Sequence, residues 1–281
     1  MRQIIPLLIL SLLTTLAACV DSDNEPTAET MPLVVEGWIE DGLAPIVMVT
    51  HAVDLTTDTA SFDGFVEKWG RVSIYDGDTR YILSGRLNRD YTPSFIFTTS
   101  KLKGEPGHTY RLLIETEDAT VEAVTTMPEP PEIATVEAVK VADNDTLYTL
   151  TAHLADVDPN GYYKFFTHTT ELESRYYSAF LGSFAASDYD TTAGWNITRG
   201  IHSLYNSDDT FNHYFVSGQH VYVKLCSMEQ EIYDFWHVYD SSISLSQNLF
   251  FSFSDNCPSN IVGGLGYWAA YGTSRASILI P

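Results

Sequence analysis

The run Asp156-Val157-Asp158-Pro159-Asn160-Gly161 reproduces the first half of a calcium loop, with oxygen side chains at alternate positions and a glycine sixth for the sharp turn. A complete loop ends on a bidentate glutamate at its twelfth position. Here that position is Thr167, and Tyr162-Tyr163-Lys164-Phe165-Phe166 in between reads as a strand. Asp156, Asp158 and Asn160 are therefore only a weak calcium candidate, and an acidic turn entering a strand explains them without a metal. Eight histidines are scattered along the chain, without the His-Glu-x-x-His spacing that places two imidazoles on one helix face. No Gly-x-Ser-x-Gly elbow is present to raise a serine nucleophile. The cluster Gly263-Gly264-Leu265-Gly266 lacks the strand-to-helix context and the third glycine spacing of a dinucleotide cradle, and has no P-loop lysine. It runs instead into Tyr267 to Gly272, a strand-like aromatic stretch. A packing role, with glycines allowing close approach beneath Trp268 and Tyr271, is the expectation. No catalytic residue, resident metal or cofactor is expected, and the chain reads as a non-enzyme.

Aromatic residues are the stronger lead. Tyr176, Tyr177, Phe180, Phe184, Tyr189 and Trp195 occupy a stretch with little periodicity. Rings on a loop can stack on sugar faces or line an apolar pocket, so these six are candidate ligand-facing residues; the alternative is that they are core positions of strands the pattern does not reveal.

The address of the protein is written at its start. Arg2 gives a positive n-region and Ile4 to Leu13 an apolar core of about ten residues, too short to span a bilayer. Leu16-Ala17-Ala18-Cys19 resembles the lipobox of bacterial lipoproteins, which makes residues 1–18 a signal peptide and Cys19 the lipidated residue. Several acyl chains on one cysteine satisfy the two-signal requirement for stable anchoring. Residues 19–30 are polar and acidic, a flexible tether. Its Asp21, Asp23 and Glu25 resemble the signal that sends Bacteroidota lipoproteins to the cell exterior. With the signal removed the net charge is about −23, since residues 1–18 carry one arginine and no acid. Such a surface repels nucleic acid, which is excluded as a partner. Cys226 and Cys257 are then the two remaining thiols and a candidate disulfide in an oxidising compartment.

Short period-two or apolar runs fill the first half: Leu33 to Ile39, Ile46 to Thr50, Arg71 to Asp76, Phe95 to Thr99, Tyr110 to Thr116 and Val121 to Thr126. Turn signals separate them, as in an immunoglobulin-like sandwich. The three prolines of Met127 to Glu132 cannot continue a central strand, and a domain boundary is expected there. The fold class expected is mainly β: an immunoglobulin-like β-sandwich over 31–127, followed by a second β-rich domain over 128–281 with one amphipathic helix over about 229–245. In that helix Ile232, Phe235, Trp236, Tyr239 and Ile243 share one face. Ser227 and Gln230 have capping-box spacing at its start. The polar stretch 185–209 is expected to be a long exposed loop.

In order along the chain, the lipobox, the opening Pro32 to Gly42, the Thr109 to Glu115 strand with its Thr125 to Ile133 exit, Asp158 to Phe165, the Glu231 to Trp236 helix and Pro258 to Gly272 resemble a family of Bacteroidota lipoproteins classed as a domain of unknown function (DUF4249-like). Its members are often encoded beside TonB-dependent outer-membrane receptors. The resemblance implies a lipid-anchored outer-membrane protein facing the cell exterior and supplies no catalytic residue. It makes a ligand-binding or accessory role in TonB-dependent nutrient uptake the leading expectation, with a TonB-dependent receptor and a small-molecule or glycan ligand as partners. A surface adhesin or envelope structural lipoprotein is the alternative. Thr59, Thr146 and Thr191, each after an aspartate, resemble the acceptor threonines of Bacteroidota O-glycosylation.

Overall fold

The computed structural model describes residues 31–52, 62–169, 175–200, 213–245 and 257–281. Cys19, the tether and Thr59 lie outside them. The chain is mainly β. Its strands are β1 Leu33–Glu40, β2 Ile46–His51, β3 Arg71–Asp76, β4 Thr79–Ile82, β5 Ser84–Leu87, β6 Phe95–Thr98, β7 Thr109–Glu115 and β8 Thr120–Thr126. There follow β9 Glu132–Lys140, β10 Leu147–Asp156, β11 Tyr162–Thr169, β12 Tyr177–Ala185, β13 Trp195–Ile197, β14 Phe215–Val216 and β15 His220–Met228. Helix α1, Gln230–Leu245, and the long β16, Leu265–Leu279, close the chain.

Strand alternation decides the layers, because successive side chains point to opposite faces. An eight-stranded sheet runs in the order β12-β11-β15-β16-β1-β2-β6-β5. One face, the back, carries Leu33, Val35 and Ile39 of β1 and Trp268 and Ala270 of β16, which form a first core with Val72, Ile74, Tyr110, Leu112, Ile114 and Val121 of the β4-β3-β7-β8 sheet. The same back face carries Tyr163 and Phe165 of β11 and Val221, Val223 and Leu225 of β15. These form a second core with Leu150, Ala152, Ile197 and Phe215 of the sheet built by β9, β10, β13 and β14. The opposite, front face supports a third core made with α1.

The prolines 128, 130 and 131 link β8 to β9, as turn chemistry requires. Strand pairing nevertheless joins the two halves of the sequence: β1 lies parallel to β16, with Glu36 beside Tyr267, Gly37 beside Trp268 and Glu40 beside Tyr271. Residues 31–281 accordingly make one compact unit. Trp268 is the centre of this seam. It is fully buried, its indole N–H donates to the Tyr110 carbonyl at 3.0 Å, and its backbone is held in both directions by the Asn260 side chain at 2.8 and 2.9 Å. Gly37 leaves room for it, since a Cβ there would lie 2.9 Å from the indole ring. The glycine cluster acts in the same seam. Gly266 has φ +104°, and a Cβ on it would overlap the Val35 carbonyl oxygen. Close backbone approach is thus what Gly266 supplies.

Helix α1 starts one residue after its expected position and ends where expected. Ile232, Phe235 and Trp236 are buried on the front face, with Tyr233 and Tyr239 packed beside them. The Ser227 cap is a correction. Ser227 still belongs to β15 and its hydroxyl donates to the Glu129 carbonyl at 2.7 Å, because the strand runs directly up to the helix. Glu229 takes over the helix start: its carbonyl accepts from the N–H groups of Ile232 and Tyr233, and its carboxylate accepts from Thr126 N–H at 2.8 Å and the Thr125 hydroxyl at 3.0 Å. The 185–209 stretch is also more structured than its composition suggests. Its described part, 185–200, contains β13, which pairs with β10. No helix among the described residues is long and apolar enough to cross a membrane.

Candidate functional site

A sheet face covered by a helix is ordinarily apolar, and this one is not. Register places Glu36, Trp38 and Glu40 of β1, Tyr267, Tyr271, Thr273 and Arg275 of β16, Tyr222, Lys224 and Cys226 of β15, and Lys164, Phe166 and His168 of β11 on the front face. Lysines almost never become fully buried unless paired. Both lysines here are paired.

Lys164 has no exposed surface and Asp240 on α1 is 4% exposed. The ammonium donates to both carboxylate oxygens of Asp240 at 3.0 Å and lies 4.7 Å from the Trp236 ring centre. Ser183 on β12 completes the shell, its hydroxyl and its N–H both donating to Asp240. A bulge makes this possible: between Lys164 and Phe166 the β12 strand carries extra residues, with Leu181 at φ +50°, so that Ser183 comes opposite Lys164. Burial pulls the Lys164 ammonium below its ordinary pKa, the Asp240 charge opposing it.

Lys224, one strand away, behaves in the opposite sense. It donates to Glu40 at 2.5 Å, and Arg275 reaches the other oxygen of Glu40 at 2.7 Å. Burial disfavours the Lys224 charge, but the Glu40 carboxylate outweighs it and the pKa is raised. The ammonium also lies 4.7 Å from the Phe166 ring centre and 5.0 Å from that of Tyr176. Cation and ring contacts of this kind contribute about 0.5–2 kcal/mol, more as they are desolvated. Glu40 is thus clamped between strands from the end of the chain, tying β1 to β15 and β16.

Beyond this clamp the face becomes half-buried and aromatic. Trp38 and Tyr91 have ring centres 5.9 Å apart. The Arg175 guanidinium lies 4.9 Å from the Tyr91 ring centre and 5.0 Å from that of Tyr177. His168 sits between Tyr176 and Tyr222, at 5.6 Å from each. Glu36 accepts a hydrogen bond from the Tyr267 hydroxyl at 3.2 Å, and burial raises its pKa while Arg175 opposes the shift. This arrangement of partly exposed rings around buried and half-buried charges offers flat apolar contact area with directional polar groups between, the combination that small-molecule sites use.

The six candidate aromatics divide. Tyr176 and Tyr177 belong to this surface. Phe184 is 1% exposed in the second core, stacked on Trp195 at 4.3 Å, on Tyr163 at 5.3 Å and against Tyr189 at 6.0 Å. The Tyr189 hydroxyl oxygen accepts from the Leu154 N–H at 2.8 Å, so Phe184, Tyr189 and Trp195 serve packing rather than a ligand. Phe180 packs on His213 at 4.5 Å. Cys226 and Cys257 both contribute to the third core, but as free thiols. Asp158 and Asn160 close their own turn: Asp158 Oδ1 accepts from Asn160 N–H at 3.0 Å and the Asp158 carbonyl from Gly161 N–H at 2.8 Å. Asp156 ends β10, and no group of three or more potential metal ligands occurs among the described residues. Asp158 does border a second feature, an open groove of about 1160 Å³ at the start of α1 that also exposes Glu122, Glu129, Glu231 and Asp234. Thr146 and Thr191 are exposed in turns.

Lys164, Lys224, Glu40, Asp240, Arg175, Arg275, Trp38 and Tyr91 were absent from the sequence-based candidates. A signal for the two lysines existed. Each interrupts an otherwise apolar strand, in Tyr-Tyr-Lys-Phe-Phe and Val-Tyr-Val-Lys-Leu-Cys, where a charge demands a buried partner. No curated protein sequence matches the chain. A family model described as domain of unknown function (DUF4249) matches residues 20–277, nearly the whole chain, and the protein belongs to that family.

Proposed function

We propose that this protein is a non-enzymatic outer-membrane lipoprotein of Bacteroidota, anchored through Cys19, that serves as a ligand-binding or accessory component of TonB-dependent nutrient uptake. The observation that carries the reading is the front face. Its half-buried rings Trp38, Tyr91, Tyr176 and Tyr177 surround Arg175 beside a rigid ionic clamp, which suits recognition and leaves no obvious reacting pair. Cysteine chemistry there is disfavoured, because burial pushes the Cys226 thiol up to about 12 and a thiol is not a nucleophile. Further support comes from the lipobox-like Leu16-Ala17-Ala18-Cys19 and from the family match, which begins at the next residue. A tether would hold a weak binder beside a channel and raise its effective concentration, so modest affinity suffices.

The test is recovery of the tagged full chain from native outer membranes in mild detergent, followed by identification of what accompanies it. A TonB-dependent receptor at equal stoichiometry is the expected result. Recovery of the chain alone, with its lipid intact, would overturn the uptake role and leave a free-standing binder or adhesin.

A further inference from the structure

The front-face surface holds a donor that nothing described satisfies. Arg175 Nε is buried and has no hydrogen-bond partner among the described residues. Buried polar groups are paired in the great majority of cases, so an orphan at the centre of an aromatic surface points to what that surface receives. The guanidinium carbon lies 4.9 Å from the Tyr91 ring centre and 5.0 Å from that of Tyr177, contacts that favour its charge but leave Nε unpaired. Nε and a neighbouring Nη together form the guanidinium edge that takes a planar pair of oxygens.

The other cations nearby are already engaged. Lys224 and Arg275 share the single carboxylate of Glu40, and Lys164 is enclosed with Asp240. Glu36, the carboxyl whose charge Arg175 feels, is itself held by the Tyr267 hydroxyl, and its burial favours the neutral acid. Asp90, next to Tyr91, is exposed to solvent. The neighbourhood therefore presents Arg175, Lys224 and Arg275 against Glu40 and a weakened Glu36, in a chain whose net charge is −22.

We propose that the front face binds a small organic monocarboxylate with a flat apolar body, the carboxylate taken by Arg175 and the body lying against Tyr91, Trp38 and Tyr176. One guanidinium fork matches one carboxylate; a phosphate dianion would call on further donors, and the remaining cations are committed to Glu40. The inference rests on the ligand-binding reading above and names the class of ligand.

The test uses the full chain in mild detergent and three probes in titration calorimetry: N-acetyl-L-phenylalanine, its carboxamide and phenyl phosphate. The acid should bind at least roughly tenfold more tightly than the amide, which lacks only the charge-assisted bonds, and more tightly than the phosphate. Arg175→Gln should bring the acid down to the amide's affinity, whereas Arg86→Gln, an exposed arginine on β5, should change nothing. Equal binding of acid and amide, tighter binding of the phosphate, or no binding of any probe up to about 10 mM overturns the proposal on the unaltered chain, whether or not the Arg175 variant folds. Acid binding that persists in a folded Arg175→Gln protein overturns it too. Receptor co-purification is an independent readout: a receptor without acid preference removes this inference and leaves the uptake role, and acid preference without a receptor does the reverse.

Discussion

Replacing Asp240 by asparagine should be among the most damaging single changes in the protein. Asp240 is 4% exposed and accepts four hydrogen bonds, two from Lys164 and two from Ser183. An amide keeps one acceptor oxygen and turns an NH₂ group toward the ammonium, leaving Lys164 charged, fully enclosed and without a counter-ion. Breaking a buried ion pair from one side costs about 3–5 kcal/mol. In a unit spanning residues 31–281 each kcal/mol lowers Tm by roughly 2–4 °C, so a fall of about 6–20 °C is expected. Removing both charges, as Lys164→Met with Asp240→Leu, eliminates the stranded ammonium and leaves only the Ser183 donors unpaired. That double variant should lose about 1–3 kcal/mol, less than the single one.

The effect should also depend on pH. In the native state the Lys164 pKa is lowered, chiefly by burial, and without Asp240 the largest opposing interaction is gone. The folded protein then binds this proton less tightly than the unfolded chain does. The penalty stands in full below the folded pKa and is relieved as pH rises toward the unfolded lysine value of about 10.4. Thermal melts and urea midpoints for parent, single and double variants between pH 7 and 9.5 measure all of this. If Asp240→Asn lies within about 1 kcal/mol of the parent, or if the double variant is as unstable as the single, the reasoning from a buried ion pair fails.

Other expectations follow from the same cores. Cys226 has its pKa raised by burial to about 12, so the folded state keeps a proton that the unfolded thiol gives up from about pH 9, and stability should fall with a slope of about 1.4 kcal/mol per pH unit for this group alone. The raised pKa values of Tyr267 and Tyr271 add to the alkaline loss, and Cys226→Ala should reduce the slope by one proton; an unchanged slope in urea midpoints from pH 9 to 11 would show that the thiol is not protected by folding. Gly266→Ala should destabilise by at least about 1–3 kcal/mol, because φ +104° is strained for any side chain and the Cβ meets the Val35 carbonyl; a midpoint within error of the parent refutes the seam argument. Thiol titration should find Cys226 and Cys257 both reduced, with Cys226 reacting only after denaturation, and an intact mass two hydrogens light would contradict this.

How much of this could be read from the sequence follows from the range of the interactions involved. Alternation in β1, β7 and β8 and the 3.6-residue period of α1 are local, and both the strands and the helix lie where the pattern puts them. The parallel pairing of β1 with β16 joins residues more than two hundred positions apart, and nothing in Leu33 to Glu40 names its partner. The role of the glycines at 263, 264 and 266 was legible as close packing, although the contact proved to be the β1 backbone for Gly264 and Gly266 and the Thr120 carbonyl of β8 for Gly263. The 185–200 segment misled because polar turns surround aromatics that reach back into a core: Trp195 stands between Gly194 and Asn196 at the start of a three-residue strand, too short for a period to show. The site was missed for the same reason as the seam. Glu40 meets Lys224 and Arg275, and Lys164 meets Asp240, only after four strands and a helix have assembled.

That assembly bears on why the front face is charged at all. A helix packed on a sheet could be sealed with leucine and valine, and replacing buried ion pairs by apolar groups is often neutral or stabilising. The back face of the same sheet shows this chain building just such cores, from Val35, Ile39, Val223 and Leu225. Folding alone therefore does not require Lys164, Lys224, Glu40 and Asp240. What they supply is fixed geometry: Glu40 holds β1 against β15 and β16, and Asp240 holds α1 against β11 and β12. Trp38 and Tyr177 stand on β1 and β12, Arg175 and Tyr176 immediately precede β12, and Tyr91 lies between β5 and β6, so on the proposed role the charged pairs preorganise a surface that would otherwise adapt at a cost in affinity. On the binding role proposed above, the two lysines and their partners are the rigid floor beneath the ligand, and loosening that floor should weaken ligand affinity before it unfolds the protein.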